Sequence, residues 1–529
     1  MTNNASSAMY LRENVVIEPL VNSWYASSFV IPPVTAALYV ANHHIKVMQS
    51  FVATPSIHVE AVKAPGMLGG PFINHPATRA GEIAELLETT RRRQVHLLEL
   101  AVAVKALNDM LAMEATGTPL EPLYAKVPAI LRGYVELVYD LHHRPYFRCF
   151  EALLYESSLY RTSNQTIAIS VCKSDSRAFA LSTPRLRGDE VLVAELPFAS
   201  PIVDELSKAR LSPTSTEYFV DALQIDRNAL SQYFTEEPPI RRVQEILEGV
   251  RVRYLGHACI LAESRQTSVL FDPLVPHKGV PGLERIGFAD LPDTIDYAVI
   301  THNHQDHVLL ETLLQLRHKI RHLVVPSNSP GSLADPSLKL MFRKLGFRNV
   351  IALDEMEALE FEGGSITALP FLGEHGDLDV RSKAAHLLRL GGRAILCAAD
   401  SNNLEPELYN HVRNMVGRVD TVFIGMECQG APMSWLYGPI LAKPIIRKND
   451  QGRRLDGSDC AKAVDVIQKL SPSRAYVYAM GAEPWLQFIT SINYDEHSKP
   501  IVESNKFVEE CRKIGVFAER LYGAQVVPV

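Results

Sequence analysis

The chain has 529 residues, too many for one ordinary domain, and this length indicates about two to four domains. Hydrophobic residues make up 47% of the sequence and charged residues 21%, a balance that is typical of soluble globular proteins and excludes general disorder. The formal net charge of −7 and the isoelectric point near 6.2 argue against a nucleic-acid-binding protein, which normally carries a basic excess.

The chain begins with a polar stretch, Met1 to Asn14, that lacks the basic and then apolar order of a secretory signal. The seven cysteines are odd in number and form no CxxC pair, so they fit neither a disulfide framework nor a zinc ribbon. We therefore expect a protein of the reducing cytoplasm.

The segment from Val21 to Asn42 has no charged residue and is long enough to span a bilayer. Pro32, Pro33 and several polar residues interrupt it, which favours buried irregular or strand structure over a membrane helix. No membrane association is expected.

Two helices are predicted next. Apolar residues recur at helical spacing between Glu82 and Thr116, where Gly117 offers a stop, so this stretch predicts one long helix. A second helix is predicted from Pro128, a residue suited to the first helical turn, to about His142, and the pair would form a helical hairpin. The apolar face of the long helix exceeds what this short partner can cover, so we expect a homodimer through the N-terminal domain.

Short β-rich runs follow at Thr166 to Val171 and at Val191 to Ala194. The run from Glu236 to Pro239 is typical of a linker, after which the pattern changes to strands and turns. The sequence therefore predicts a mixed α+β N-terminal domain over residues 1–245 and a second domain over residues 246–529.

Strands and helices alternate in the second domain, with a helix expected after His307. This order fits a layered α/β domain rather than a helical bundle. The predicted strands are 250–255, 258–262, 268–271, 297–300, 321–325, 366–371, 386–390, 394–398 and 421–424.

A dense group of metal-binding residue types follows the apolar strand that ends at Ile300. Alternate side chains in such a turn can point toward two metal positions about 3.5 Å apart, with imidazoles on one ion and an aspartate and a histidine on the other. One histidine in a turn means little, but three with an aspartate in six positions indicate a two-metal site. The residues are His302, His304, Asp306 and His307.

These residues reproduce the HxHxDH motif of the metallo-β-lactamase superfamily, which the second domain resembles. The resemblance extends to Gly256-His257-Ala258, to Asp272 at a strand end and to Asp400 in Ala398-Ala399-Asp400. It implies an αββα sandwich in which Asp400 bridges the two metals and Asp272 supports the motif turn.

The sequence departs from the hydrolases of this superfamily at two places. Those hydrolases have one histidine where this chain has Glu374 followed by His375. They also have a last histidine after the final strand, where this chain has the segment Tyr478 to Glu483 without a histidine. Carboxylate together with imidazole favours iron or manganese, because anionic oxygen donors stabilise the ferric state. The missing histidine leaves an open coordination position, which oxygen binding needs.

With these departures the whole chain resembles the diiron β-hydroxylases of antibiotic biosynthesis, which act on amino acids tethered to carrier proteins of nonribosomal peptide synthetases. The resemblance implies a non-haem diiron monooxygenase that uses two iron ions, O2 and an external electron donor or reductase. It implies catalytic roles for Glu374, as an iron ligand, and for Glu427, near the cluster. His375 remains a rival of Glu374. The implied metal ligands are His302, His304, Asp306, His307, Glu374 and Asp400.

A segment from Cys428 to Ser458, predicted to lack regular structure, is rich in aromatic and basic residues. One interpretation is a solvated surface loop. The other is a docking surface for an acidic carrier protein or its phosphopantetheine phosphate, with the aromatic residues lining a substrate tunnel. The residues are Trp435, Tyr437, Lys443, Arg447, Lys448, Arg453 and Arg454, opposed by Asp450 and Asp456.

Two alternative functions compete with hydroxylation. A dizinc hydrolase, such as a lactonase or thioesterase, is what the motif alone favours. A flavodiiron-type oxygen or nitric oxide reductase ranks last, since no flavodoxin-like segment or phosphate-binding loop follows the metal domain. Structural or surface roles are predicted for His43, His44, His142, His143, His497 and the Arg91 to Arg93 run.

Overall fold

The computed structural model describes residues 8–186, 188, 190–243, 246, 248–278 and 282–529. The predicted domain boundary at residue 245 and the first seven residues of the predicted polar start lie outside this range. None of the helices in the described part of the chain combines the length and apolarity that a bilayer crossing requires.

The N-terminal region is built from small sheets and short helices. One four-stranded sheet has the order β3-β2-β6-β7, and two-stranded sheets pair β1 with β8 and β4 with β5. The strands are β1 (Tyr10–Leu11), β2 (Val15–Val21), β3 (Trp24–Tyr25), β4 (Val135–Tyr139), β5 (Pro145–Cys149), β6 (Gln165–Val171), β7 (Leu192–Glu195) and β8 (Phe234–Thr235). The helices are α1 (Pro33–Tyr39), α2 (Ile45–Ala53), α3 (Pro55–Ala61), α4 (Ala80–Arg93), α5 (Val95–Glu114), α6 (Glu151–Tyr155), α7 (Pro201–Lys208), α8 (Thr216–Leu223) and α9 (Arg227–Ser231), with a π-helical turn at Val40–His44 and 3₁₀ turns at Pro65–Met67, Ala77–Arg79, Glu121–Lys126 and Ala129–Leu131.

The predicted helix from Pro128 to His142, and with it the helical hairpin, is wrong. Pro128 precedes a single 3₁₀ turn, and the chain then enters β4 and returns through β5 as an antiparallel pair. Val135-Glu136-Leu137-Val138-Tyr139 is rich in β-branched and aromatic residues and buries alternate positions, as strands do.

The predicted long helix from Glu82 to Thr116 is two helices, α4 and α5, interrupted at Gln94. The two halves bury different faces, since Ile83 and Leu87 join a cluster around Trp24 while α5 packs against α1. The segment from Val21 to Asn42 is buried as predicted, but it contains α1, because Pro33 occupies the first helical position rather than preventing a helix.

The C-terminal region holds two seven-stranded sheets, with orders β14-β13-β12-β11-β10-β9-β22 and β15-β16-β17-β18-β19-β20-β21. The strands are β9 (Arg251–Gly256), β10 (Cys259–Glu263), β11 (Ser268–Phe271), β12 (Ile295–Val299), β13 (Ile320–Pro326), β14 (Val350–Leu353), β15 (Ala358–Phe361), β16 (Gly364–Leu369), β17 (Ala385–Leu390), β18 (Arg393–Cys397), β19 (Thr421–Gly425), β20 (Arg474–Tyr478), β21 (Phe517–Arg520) and β22 (Gln525–Val527). The helices are α10 (Leu310–Leu316), α11 (Leu338–Lys344), α12 (Glu407–Val416), α13 (Met433–Tyr437), α14 (Arg447–Gly452), α15 (Cys460–Leu470), α16 (Gln487–Thr490) and α17 (Lys499–Lys513), with 3₁₀ turns at Phe288–Asp290, Gly438–Ile440 and Pro484–Leu486.

The two large sheets face each other, and apolar side chains such as Val252, Phe271, Ile366 and Leu388 fill the layer between them. A second apolar layer packs α12, α15 and α17 on the outer face of the second sheet. Helices α10 and α11 cover the first sheet. The predicted αββα sandwich with a mixed α+β N-terminal region is therefore confirmed, as are the predicted strands of the second domain.

A buried ion triad joins the two regions of the chain. Arg177 Nη2 lies 2.6 Å from Glu18 Oε1 on β2 and 2.8 Å from Glu311 Oε2 on α10. Both glutamates are fully buried, and one apolar core runs from the N-terminal sheet to α10 and α11 around the triad.

Strand directions bring seven loops to one edge of the sandwich. Strands β9 and β11 are both antiparallel to β10, and β12 is parallel to β11, so all three end at the same edge of the first sheet. In the second sheet β16 and β18 are both antiparallel to β17, and β19 and β20 continue parallel to β18. The residues after these strands therefore gather at one edge.

Candidate metal centre

The motif turn follows β12 at this edge and is fixed by the aspartate that follows β11. Asp272 accepts hydrogen bonds from the Thr301 backbone N at 2.8 Å and from Thr301 Oγ1 at 2.7 Å. Its Oδ2 also lies 2.8 Å from His307 Nδ1, so that ring nitrogen carries the proton and Nε2 offers a lone pair.

A first group of donor atoms consists of His302, His304 and Glu374, all buried. His302 Nε2 lies 3.2 Å from His304 Nδ1, and His304 Nδ1 lies 3.3 Å from Glu374 Oε1. Ligands of one ion lie at such separations when each is about 2 Å from the metal.

A second group consists of Asp306, His307 and His257, the last from the turn between β9 and β10. His257 Nε2 lies 3.1 Å from Asp306 Oδ2 and 3.2 Å from His307 Nε2. His257 is not among the predicted ligands. The signal that could have found it is the strand order, because β9 runs in the same direction as β12.

Asp400 follows β18 and lies between the two groups. Its Oδ2 is 2.9 Å from His307 Nε2 and 3.8 Å from His302 Nε2, so one oxygen faces a member of each group. The structure thus brings together all six residues predicted as ligands.

Glu374 reaches His304 because the chain reverses sharply around it. Gly373, Glu374 and Gly376 all have positive φ, at 77°, 68° and 55°. Side chains at the two glycines would also collide, since an added Cβ would lie 2.5 Å from Asn402 Cβ and 2.6 Å from Met433 Cβ.

His375, the rival of Glu374, turns toward a different partner. Its Nδ1 lies 2.5 Å from the hydroxyl oxygen of Tyr437, its Nε2 is buried without a partner in the described chain, and it does not belong to any of the groups of converging donor atoms found among the described residues. His375 packs beside His304, with ring centroids 4.4 Å apart.

The electrostatics of the site fit bound cations. Burial lowers the pKa of His304 to about 4, and burial together with neighbouring imidazoles lowers that of His302, so both rings are neutral donors. Burial alone would lower the pKa of His307, but Asp400, Asp272 and Asp306 outweigh it and raise that pKa well above its usual value. A divalent cation would balance the same carboxylates.

Buried polar atoms without a partner also indicate a site for bound cations. Glu374 Oε2 and Asp400 Oδ1 are buried and have no hydrogen-bond partner in the described chain. A buried carboxylate oxygen without a partner is costly, and a bound ion is an ordinary reason for one. Three imidazoles with three carboxylates are a donor set suited to iron.

Glu427 follows β19 at the same edge but belongs to no converging group among the described residues. Burial raises its pKa, and repulsion from Asp400 and Asp306 raises it further. Its position after β19 places it at the edge that holds the donor atoms, and its catalytic role stays a prediction.

The segment from Cys428 to Ser458 covers the turn around Glu374, and the prediction that it lacks regular structure is wrong, since it contains α13 and α14. Tyr437 is buried against His375. Arg453 Nε donates to the Gly376 carbonyl at 2.7 Å. Only part of the predicted basic cluster thus faces solvent.

The histidines predicted to have structural or surface roles lie outside the groups of donor atoms found in the described chain. His44 is buried and stacks on Trp24 with ring centroids 4.1 Å apart, whereas His142, His143 and His497 are exposed. The interpretation of these residues as structural or surface groups agrees with their positions.

Two family models match the chain, one for each region. The N-terminal domain of the diiron non-heme β-hydroxylases matches residues 10–238, and a β-lactamase superfamily domain matches residues 267–477. A curated relative, the 4-amino-L-phenylalanyl-[CmlP-peptidyl-carrier-protein] 3-hydroxylase of Streptomyces venezuelae, is 39% identical over 522 residues, which cover 97% of this chain and 98% of the relative.

Solved structures agree with these matches. The crystal structure of CmlA, a diiron β-hydroxylase from Streptomyces venezuelae, matches with a TM-score of 0.93 at 39% identity, covering 99% of this chain and 100% of that chain. A mutant of the CmlA β-hydroxylase matches with a TM-score of 0.90 at 38% identity, covering 98% of this chain and 100% of that chain.

Proposed function

The chain belongs to the family of diiron non-heme β-hydroxylases, and from this membership we propose that it hydroxylates the β-carbon of an amino acid held as a thioester on a peptidyl carrier protein. The carrier-bound substrate of the 39% identical relative supports this class of substrate. In this chain, the position of the Glu374 carboxylate beside the two histidines of the first donor group supports the proposal most directly.

We assign the six predicted ligands to two ions. His302, His304 and Glu374 would hold one ion, Asp306 and His307 the other, and Asp400 would be shared. The shared position of Asp400 Oδ2, within 4 Å of a histidine from each group, supports this arrangement.

The chain contributes orientation and exclusion of water. Two bound iron ions would supply the oxygen chemistry, with electrons from an external reductase. Asp272 keeps the proton of His307 on Nδ1 and thereby directs Nε2 into the site. The burial of His302, His304 and Glu374 keeps bulk water from the donor atoms.

Hydrolysis by two zinc ions is the alternative that the family membership does not favour. An experiment on protein expressed in iron-supplied medium distinguishes the two functions. Hydroxylase function predicts about two irons per chain and, with each of a panel of aminoacyl-loaded carriers, a mass gain of one oxygen for the true substrate. Near-stoichiometric zinc with turnover of a simple ester or lactone would contradict it.

A basic surface beside the site suits an acidic carrier protein. Lys443, Arg447 and Lys448 are exposed and, within the described chain, form no ion pair; Ile446 between them is 64% exposed. Asp450 forms no ion pair with them in the described chain; its carboxylate accepts hydrogen bonds from Ser434 N and Oγ. We call these residues, 443–448, the basic surface.

Reversing charge on the basic surface tests this docking position. K443E combined with R447E and K448E should raise the KM for the loaded carrier by about tenfold at low salt, with kcat nearly unchanged, because such charges mainly govern association. The effect should shrink as ionic strength rises. A control with two reversed charges, R92E with R93E on α4, should leave KM unchanged. Equal effects of both variants would contradict docking here.

Exposed apolar side chains on one face of α5, which also carries Glu99 and Asp109, support the proposed homodimer. Val95, Val102 and Met113 are 47%, 70% and 72% exposed, and their spacing, with Ala106, places them on one helix face. The opposite face, including Leu100 and Leu107, is buried in the core.

Light scattering tests the homodimer. The full chain should give twice the monomer mass of 58.8 kDa at micromolar concentration. V102E combined with M113E should give the monomer mass, because two charges would be buried in the interface. M415E, at a methionine of the C-terminal region that is 69% exposed, should leave the mass unchanged. A monomeric unmodified chain would overturn the proposal.

A further inference from the structure

We propose that His257, although it lies among the donor atoms of the second group, is not a metal ligand but a positioning residue that holds Asp306. The inference rests on the proposed two-metal site and concerns a residue outside the six assigned ligands. It follows from the hydrogen bonds on the two ring nitrogens of His257.

The loop after β20 fixes one side of the ring. The Gly481 backbone N donates to His257 Nδ1 at 3.1 Å, and the Ala479 backbone N donates to the His257 carbonyl at 2.9 Å. A backbone amide can only donate, so Nδ1 must offer its lone pair to Gly481. The single proton of the neutral ring is then on Nε2.

The protonated Nε2 faces the second group of donor atoms. It lies 3.1 Å from Asp306 Oδ2, a distance suited to a hydrogen bond from the ring to a carboxylate. A metal ion needs a lone pair at Nε2, and the neutral ring has already committed its lone pair to Gly481. His307, 3.2 Å away, has the opposite tautomer, because its Nδ1 proton faces Asp272.

The backbone conformation around His257 indicates that its ring is held in one position. His257 has a φ of 51°, and Gly481 and Ala479 on the facing loop have φ values of 63° and 53°. Non-glycine residues adopt this region at an energetic cost that the surrounding structure must impose. His257 is also only 2% exposed, so its ring has little freedom to turn away.

The expected role is to hold one oxygen of Asp306 while the carboxylate binds the second ion. That ion would then receive protein donors from Asp306, His307 and the shared Asp400. Coordination positions would remain for molecules that are not part of the chain.

Two variants separate positioning from ligation. H257A removes the ring, whereas H257Q places an amide N–H near the former position of Nε2. We expect H257A to lower the affinity for the second Co2+ or Fe2+ ion by about 10–100-fold, the usual effect of removing a partner of a ligand. H257Q should retain most of the affinity. H322Q, at a half-buried histidine on β13, is the matched control.

The number of histidine nitrogens on the metals decides the question. Electron spin echo spectroscopy of the mixed-valent iron protein, with 15N-labelled histidine, should give the same count for the unmodified chain, H257Q and H257A. A lost nitrogen in the variants, or unaltered metal affinity in H257A, would overturn the inference. Because Co2+ affinity is measured without substrate, the result is independent of whether the chain hydroxylates a carrier-bound amino acid.

Discussion

Replacing Glu374 by histidine is expected to abolish hydroxylation while leaving the chain folded. The change exchanges a carboxylate for an imidazole at the first ion and restores the all-histidine pattern that suits zinc. Loss of a partner of a ligand already costs about 10–100-fold, so loss of a ligand should lower turnover by more than about 100-fold. The fold should tolerate the change, since Glu374 lies in a loop at the edge of the sheets.

Iron content and single-turnover oxygenation of the loaded carrier measure this effect. E374Q keeps the shape of the side chain and removes the charge, so it should fail as E374H does if charge is what iron requires. Y437F removes only the His375–Tyr437 contact, and H375A also removes the packing of His375 on His304; neither removes a ligand, so each should lower turnover by less than about tenfold. Two irons and normal turnover in E374H, with iron loss in H375A, would mean that His375 is the ligand.

Replacing Asp400 by alanine should remove at least one metal ion. Its Oδ2 faces both His302 and His307, so the variant loses a negative charge shared by two cations. Turnover should fall by more than about 100-fold, because a shared ligand affects both ions.

Metal analysis and melting curves measured with and without chelator test this expectation. D400N keeps the shape and removes the charge, and D379A removes an exposed aspartate of the same region as a control. Full occupancy by two ions in D400A would contradict a bridging role for Asp400.

The motif turn is predictable from sequence because its four ligands lie within six positions after a buried strand. Fold class follows from the same motif and from the alternation of strands and helices. The side chain that faces His304, by contrast, depends on the positive φ values around Glu374 and on Tyr437, which lies 62 residues after His375. Local spacing contains no information on either point.

The proximity of His257 to the second group of donor atoms is not visible in the local sequence, for a related reason. His257 lies 50 residues before His307, and only the directions of β9 and β12 place it at the same edge.

The wrong prediction of a helical hairpin has a different cause. Pro128 suited a helix start, but the alternation of Val135, Leu137 and Tyr139 favoured a strand, and pairing with β5 decided between them.

The ion triad of Arg177, Glu18 and Glu311 couples the unfolding of the N-terminal region to that of the metal-binding region. Separating the two regions would leave Glu311 buried or newly hydrated without its guanidinium partner, and breaking such a buried pair costs roughly 3–5 kcal/mol. The apolar core around the triad would be cut at the same time. We therefore expect the two regions to melt in a single cooperative transition.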